Sequence, residues 1–175
     1  LLVEGFNSSP YFMMTYNPPY YEKLVLGCGF EKTQDLYAYW GKREMLPGVH
    51  AKLQPICDQI RQRMNITLRE LNPKRFLEDV EAFLEVYNRS LTATWGFVPM
   101  SKEEIRHLAA GLRWLIVPQL ALGAEIDGKL VGATFGLLDY NPRIRAINGR
   151  LFPFGFIRLL WNKQDIKAMR LISTN

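Results

Sequence analysis

Cysteine and histidine are scarce in this chain of 175 residues, which contains only two of each. Cys28 and Cys57 have no paired spacing, which excludes a disulfide framework and favours a reducing compartment. His50 and His107 lie in different predicted elements without a cysteine or carboxylate at ligand spacing, so we expect no metal site. Cys57 shares a predicted helix face with apolar residues and is expected to be a small core residue rather than a nucleophile.

Long apolar runs are also missing, because no segment approaches the ~20 residues that a membrane-spanning helix needs. The 22 Lys and Arg residues exceed the 17 Asp and Glu residues, giving a net charge of +5, but the sequence spaces them singly or in pairs. That spacing favours an anionic ligand or a solvated surface over a nucleic-acid-binding stripe. We therefore expect a cytoplasmic protein with no nucleic-acid partner and no membrane partner, and the oligomeric state is left open.

The first 40 residues predict one helix between two strands. The aromatic run at 11–16 and the alternating run at 32–40 are typical of strands. Between them, apolar residues recur at helical spacing over 19–26, and Gly29 tolerates the left-handed conformation that ends many helices.

The stretch 41–48, which begins and ends with glycine and contains a proline, predicts a domain boundary. A helix over 49–64 follows, and we expect the fold class to be α/β, or α+β in stricter usage. It would have a mixed, largely antiparallel sheet flanked by helices, in two partial domains (1–41 and 65–175) joined by a linker and helix at 42–64. The later elements are a strand at 66–71, a helix capped by Asn72, a helix that starts with a Ser101–Glu104 capping box, a hairpin turning at Asp127-Gly128, and a final strand at 165–174.

This order of elements resembles the GNAT superfamily of acyl-CoA-dependent N-acyltransferases, in which a strand, two helices and an antiparallel meander open the domain. Residues 66–175 are similar to the front of such a domain. Asn17, a short helix and Gly29-Phe30 before an aromatic run are similar to its end. The whole resembles bacterial proteins with two such domains in tandem, and two further motifs strengthen the likeness, Trp95-Gly96-Phe97-Val98-Pro99 and Gly149-Arg150-Leu151-Phe152-Pro153-Phe154-Gly155.

The resemblance implies transfer of an acetyl or other short acyl group from coenzyme A to a small-molecule or peptide amine by direct attack on the thioester. It places Ser173, Thr174 and Asn175 nearest the acyl group as cofactor-binding residues, although an ordinary strand end explains them equally well. Trp95 and Phe97 would shape the amine pocket, or else they close the edge of the core.

Two departures from the family pattern bear on whether the protein is an enzyme or a non-catalytic GNAT-like module that binds a ligand or partner. The glycine-rich loop that holds the pyrophosphate of coenzyme A is not among these residues, and we expect it after Asn175 in a longer parent. Val25 occupies the position of the family's general-acid tyrosine, which leaves Tyr21 as the catalytic candidate. The chain alone is therefore predicted to be inactive.

Three further features have open interpretations. Glu70 and Glu125 could orient an amine or simply be solvated carboxylates on strands. The segment 152–161, near Arg150 and Arg158, is amphipathic and could lie on a membrane surface or on another subunit. Its short length and an internal glycine favour a lid or a core helix instead.

Overall fold

A computed structural model describes all 175 residues, and they form two compact units. The first unit comprises residues 1–10 and 14–65, and the second comprises residues 11–13 and 66–175. No helix in the chain combines the length and the apolar character needed to cross a membrane. The assignment of these regions to halves of two GNAT-like domains stays a prediction.

The first unit contains helices and irregular segments. Helix α1 spans Tyr21–Gly27, and helix α2 spans Leu46–Arg63 after a short 3-10 turn at Arg43–Met45. The predicted glycine stop of α1 is confirmed, because Gly29 has φ +85° and the Phe30 N–H reaches back to the Val25 carbonyl at 3.4 Å. This pair of features is the Schellman arrangement, which satisfies carbonyls at the helix end.

The two strands predicted in the first 40 residues are wrong. Residues 11–16 and 32–40 form no strand. Met13 has φ +62°, which is incompatible with extended backbone, and it divides the first run. The second run has no neighbouring strand in its unit to pair its backbone groups, and Tyr39 is 95% exposed. A strand depends on such a partner, whatever its propensity.

Helix α2 forms near the predicted range of 49–64 but begins three residues earlier, at Leu46, and its apolar stripe is exposed. Leu53, Ile56 and Ile60 all lie at the surface, and Cys57 on the same stripe is exposed as well. The prediction that Cys57 belongs to a core is therefore wrong, because no second layer covers this face of the helix. Cys28 is also exposed, and both cysteines are free thiols.

The second unit is built on a four-stranded antiparallel sheet whose order follows the chain. The predicted turn at Asp127-Gly128 is confirmed, with φ of +50° and +75°, as a two-residue hairpin of type I′ requires. The helices flank this sheet, so the predicted α+β fold class is confirmed. The strands are β1 (Ile66–Glu70), β2 (Ala121–Ile126), β3 (Lys129–Leu138) and β4 (Met169–Thr174).

The predicted helix starts of the second unit are also confirmed. The Asn72 side chain accepts a hydrogen bond from the Lys74 N–H at 3.0 Å. Ser101 and Glu104 exchange side-chain and backbone hydrogen bonds of 2.7 and 3.2 Å. The helices are α3 (Phe76–Ser90), α4 (Lys102–Leu112), α5 (Asn141–Ala146) and α6 (Gly155–Leu160), with 3-10 turns at Pro73–Arg75, Pro118–Leu120 and Lys163–Asp165.

The core of the second unit lies between α3, α4 and the sheet. The predicted inward face of α3 is buried at Phe76, Val80 and Leu84. On α4, Ala109 is the buried residue and the predicted Leu108 is 46% exposed. These contacts hold α3 against the sheet. The candidate site lies at the C-terminal end of α3.

Candidate functional site

The three residues predicted to lie nearest the acyl group form the end of β4, alongside β3. Asn175 and Ala133 exchange two backbone hydrogen bonds of 2.8 and 2.9 Å. The Thr134 hydroxyl donates to the Ser173 carbonyl at 3.2 Å and lies 3.2 Å from the Thr174 hydroxyl. Ser173, Thr174 and Asn175 are therefore held in a defined conformation by β3.

Strand β4 carries one extra residue immediately before this group. Ser173 lies opposite Phe135, whereas Leu171 lies opposite Gly136, so Ile172 has no counterpart on β3. Such a bulge changes the direction of the side chains that follow it, and bulges are over-represented next to active sites. The bulge therefore supports the choice of the end of β4 as the candidate site.

The last turn of α3 is hydrogen-bonded to the same group. The Ser90 hydroxyl lies 3.1 Å from the Asn175 side-chain oxygen and 3.1 Å from the Tyr87 carbonyl, and it can donate its one hydrogen to either. The Asn175 amide in turn donates to the Ser173 hydroxyl. A chain of neutral polar groups thus runs from the helix to the strand end.

Helix α3 also fixes the loop that carries the predicted substrate-binding residues. The Asn88 side chain makes two hydrogen bonds, of 2.8 and 3.0 Å, to the carbonyl and N–H of Met100. The Tyr87 and Phe97 rings meet edge to face with centroids 5.4 Å apart. Phe97 is therefore half-buried against α3, whereas Trp95 on the same loop is 58% exposed.

The end of α3 thus joins the two predicted groups of the second unit. Ser90 contacts the end of β4, and Tyr87 and Asn88 hold the loop with Phe97. Sequence reasoning missed Ser90, Asn88 and Thr134. The only available signal was a pair of polar residues in the last turns of a predicted amphipathic helix.

Hydroxyl and amide groups make up the polar part of this site, with no carboxylate, histidine or lysine among the contacts described. Such groups can bind a carbonyl or stabilise an oxyanion, but they are poor general bases at neutral pH. The arrangement is therefore suited to holding and polarising an acyl group rather than to removing a proton.

Tyr21, the predicted catalytic candidate, lies in the first unit. It is the first residue of α1, is partly exposed, and has its ring 5.1 Å from that of Tyr20. Its chemical role stays a prediction.

Glu125 is engaged in an ion-pair cluster of the second unit. The Arg69 guanidinium pairs with Glu125 at 2.5 Å and with the buried Asp79 at 2.9 Å, and the hydrogen bonds to Asp79 and then Glu125 raise the pKa of Arg69. Asp79 also accepts the Asn72 N–H at 2.7 Å. This cluster ties β1, β2 and α3 together, whereas Glu70 is exposed. The signal that sequence reasoning missed was an acidic residue on the buried face of α3.

No group of three or more His, Cys, Asp or Glu side chains in the chain lies close enough together to hold a metal ion. His50 and His107 are both exposed.

Comparison with known proteins found two informative similarities. The chain is 35% identical over 161 residues to the protein named Protein YghO of Escherichia coli (strain K12), which covers 92% of the chain and 40% of that protein. It is 32% identical over 176 residues to a protein named Bacterial ceramide synthase of Caulobacter vibrioides (strain NA1000 / CB15N), which covers 98% of the chain and 44% of that protein. The chain therefore spans less than half the length of these curated relatives. No protein-family model and no solved structure matches it.

Proposed function

We propose that this chain is part of an acyl-CoA-dependent N-acyltransferase. The observation that carries the proposal is the 32% identity, over 98% of the chain, to a protein named as a bacterial ceramide synthase. A ceramide is by chemical definition an amide between a fatty acyl group and a long-chain amino alcohol. An enzyme that makes one by acyl transfer therefore joins an acyl carbon to an amine nitrogen.

The geometry at the end of β4 supports this reaction class. Ser173, Thr174 and Asn175 follow a bulge and are held by Thr134 and Ser90. A rigid array of neutral hydrogen-bonding groups suits an acyl carbonyl, because donors that are already oriented need no reorganisation when charge develops on the oxygen. The aromatic loop beside α3 supplies an apolar wall for the amine or its tail.

In the proposed reaction, the free amine attacks the thioester carbon and the new carbon–nitrogen bond forms as the carbonyl oxygen becomes an oxyanion. Collapse of this intermediate breaks the carbon–sulfur bond and releases the coenzyme A thiolate. The amine loses one proton to a base, and the thiolate takes one from an acid. In this scheme the end of β4 binds the carbonyl oxygen, and no residue of the chain is assigned as the base.

The acyl donor distinguishes two versions of the proposal. The resemblance to N-acyltransferases implies acetyl-CoA, whereas the name of the Caulobacter relative favours a longer acyl chain. The acceptor is an amine in both versions. Coenzyme A is the proposed acyl carrier in the whole protein, with its pyrophosphate held outside the residues described here.

The test is an acyl-transfer assay on the longest natural protein that contains this chain. Acetyl-CoA and palmitoyl-CoA are each incubated with a long-chain amino alcohol and with a short amine, and the amide product is measured by mass spectrometry. We expect amide formation with at least one donor, and the product identifies the chain length. Asn175→Ala and Thr134→Val should lower kcat by at least tenfold, since each removes groups that position the acyl end.

The matched control is Gln54→Ala, which removes a side-chain amide of helix α2 that donates to Asp58 at 2.7 Å and is not part of the proposed site. It should leave kcat unchanged. If the parent protein binds acyl-CoA but forms no amide, it is the non-catalytic module and the proposed enzyme activity is wrong. The 175-residue chain alone should show no specific heat of binding when titrated with acetyl-CoA.

A further inference from the structure

All of the chain's excess positive charge is concentrated in one segment. Residues 140–164 contain five Lys or Arg residues and no Asp or Glu. Removing these 5 from the total of 22 leaves 17 Lys and Arg, which equals the 17 Asp and Glu of the chain. The rest of the chain is therefore neutral, and we call residues 140–164 the basic aromatic segment.

Two of the five cations hold the segment in place. Arg143 donates to the backbone carbonyls of Leu159, Trp161 and Asn162, at 3.1 Å for Leu159 and 2.6 Å for Asn162. Lys163 donates to the Trp114 carbonyl, and burial lowers the pKa of its ammonium group. These contacts fold the segment back on itself and onto the second unit.

The other three cations, Arg145, Arg150 and Arg158, are exposed and form no ion pair with an Asp or Glu. An exposed guanidinium that forms no ion pair within its own chain is available to bind an anionic surface. The positive charge at the surface of the segment thus comes from these three arginines, whereas Arg143 and Lys163 bind backbone carbonyls of the chain.

Large aromatic side chains stand beside these arginines. Phe152 is 83% exposed, Phe154 is 72% exposed and Trp161 is 73% exposed. Phe154, Ile157 and Trp161 line an open groove of about 580 Å³ together with Arg143, Arg158 and, at its end outside the segment, the acidic Asp165. The interpretation of this part of the chain as a core helix is therefore wrong, because these aromatic side chains point away from the core, whereas its interpretation as a lid stays a prediction.

We propose that the basic aromatic segment docks onto an anionic lipid bilayer, with the rings of Phe152, Phe154 and Trp161 at the level of the headgroups and its three exposed arginines on the lipid phosphates. Tryptophan and phenylalanine beside arginine fit the interface between lipid headgroups and acyl chains. Charge complementarity selects an anionic bilayer over a neutral one, since each Lys or Arg near such a surface contributes about 1 kcal/mol. This inference departs from the sequence-based expectation of no membrane partner, and it does not depend on the proposed acyl transfer.

The structure also explains how the rings are presented. A side chain at Gly155 would collide with the Arg150 carbonyl, so only glycine lets the chain turn tightly at the start of α6. The Phe156 N–H donates to the Leu151 carbonyl at 2.9 Å across this turn. The turn places Phe152 and Phe154 immediately before α6, where both rings are exposed and the Phe152 ring lies 6.3 Å from that of Phe156.

The test is co-sedimentation with vesicles of phosphatidylcholine, with and without about one-third phosphatidylglycerol. Both the 175-residue chain and the longest natural protein that contains it should bind the anionic vesicles, with weaker binding in 0.5 M NaCl than in 0.1 M NaCl. The variant Arg145→Gln, Arg150→Gln, Arg158→Gln should bind about a hundredfold more weakly, from the loss of three surface contacts. The variant Phe152→Ser, Phe154→Ser, Trp161→Ser should bind the anionic vesicles at least tenfold more weakly.

Matched controls come from the first unit, which also exposes aromatic and basic residues. The variant Tyr37→Ser, Tyr39→Ser, Trp40→Ser removes three exposed rings, and Lys52→Gln, Arg61→Gln, Arg63→Gln removes three exposed cations. Both should bind the anionic vesicles as well as the unmodified chain. Circular dichroism should show that all four variants are folded.

Four results would overturn the proposal. The first is equal binding to neutral and anionic vesicles, and the second is an equal loss of binding in the control variants. The third is binding by the isolated chain but not by the longer protein, which would mean that another part of that protein covers the segment. A concentration-dependent dimer that the aromatic variant abolishes, in the absence of vesicle binding, would assign the segment to contacts between copies instead.

Discussion

Helices α2 and α3 have similar lengths, 18 and 15 residues, and each carries an apolar stripe at helical spacing, yet only one stripe is buried. The stripe of α3 packs against the sheet of the second unit, where Val80 and Leu84 are buried. The stripe of α2 has no such layer in the first unit, and Leu53 and Ile56 are exposed. An apolar stripe therefore predicts that a helix forms and which face could be covered, but it does not supply the covering layer.

The same contrast holds for strands. Residues 32–40 and 129–138 both alternate in character, but only the second run pairs on both sides, with β2 and β4. A backbone of β-prone residues becomes a strand when neighbours accept and donate its hydrogen bonds. The following three predictions test whether stability is concentrated in the second unit as this contrast requires.

The largest expected effect comes from Leu137→Ala in β3. Leu137 is fully buried, so the substitution should lower the free energy of unfolding of the second unit by about 3 kcal/mol through lost burial and a new cavity. Urea unfolding monitored by tryptophan fluorescence measures this change. The matched change Leu53→Ala in α2 should cost less than about 0.5 kcal/mol, because Leu53 is already exposed. Similar losses in both variants would contradict the contrast between the units.

A smaller effect is expected from Arg69→Met, which leaves the buried Asp79 carboxylate without its cation. The loss should be about 2 kcal/mol, below the usual cost of breaking a buried pair, since the Arg69 side chain is partly in contact with water. Adding Asp79→Leu should recover part of that loss, because no charge then stays buried. The control Lys32→Met breaks an exposed ion pair of the first unit and should have no measurable effect. Equal losses in the single and double variants would show that the ion pair is not the cause.

The smallest effect is expected at the start of α4. Ser101→Ala removes the cap of the Glu104 N–H and should lower the free energy of unfolding by about 1 kcal/mol, whereas Ser101→Thr should retain most of the stability that the cap provides.

The backbone hydrogen bond from Ser101 lowers the pKa of Glu104 below its ordinary 4.5. The ionised Glu104 side chain therefore makes its full contribution to the free energy of unfolding above about pH 4.5, and this contribution is lost as the pH falls through the lowered pKa.

The titration is checked by measuring the free energy of unfolding in urea, between pH 7 and pH 3, for the unmodified chain and for Glu104→Gln. That variant should be less stable than the unmodified chain at pH 7 and should approach it as the pH falls. The helix α1 of the first unit starts without a side-chain cap, so its stability should not change with pH in this way. A constant difference between the two proteins across the whole range would rule out the assigned titration.

Local chemistry in the second unit could be predicted from the sequence because it depends on neighbouring residues. The Ser101–Glu104 capping box, the Asp127-Gly128 turn and the Asn72 cap each join residues no more than three positions apart. The candidate site could be predicted only in part. Ser173, Thr174, Asn175 and Phe97 came from a resemblance, whereas Ser90 and Thr134 became visible through contacts between residues 40 or more positions apart.

The sequence by itself determined the helix starts, the hairpin, the α+β class and the concentration of positive charge between Asp139 and Asp165, since each follows from residue type and short-range spacing. Only the tertiary structure decided that the apolar stripe of α3 is buried while that of α2 is exposed, and that the rings of Phe152, Phe154 and Trp161 face outward. It also decided that the α3 terminus meets the end of β4. The physical reason is that burial and pairing require a second surface, and residues distant in the chain supply that surface.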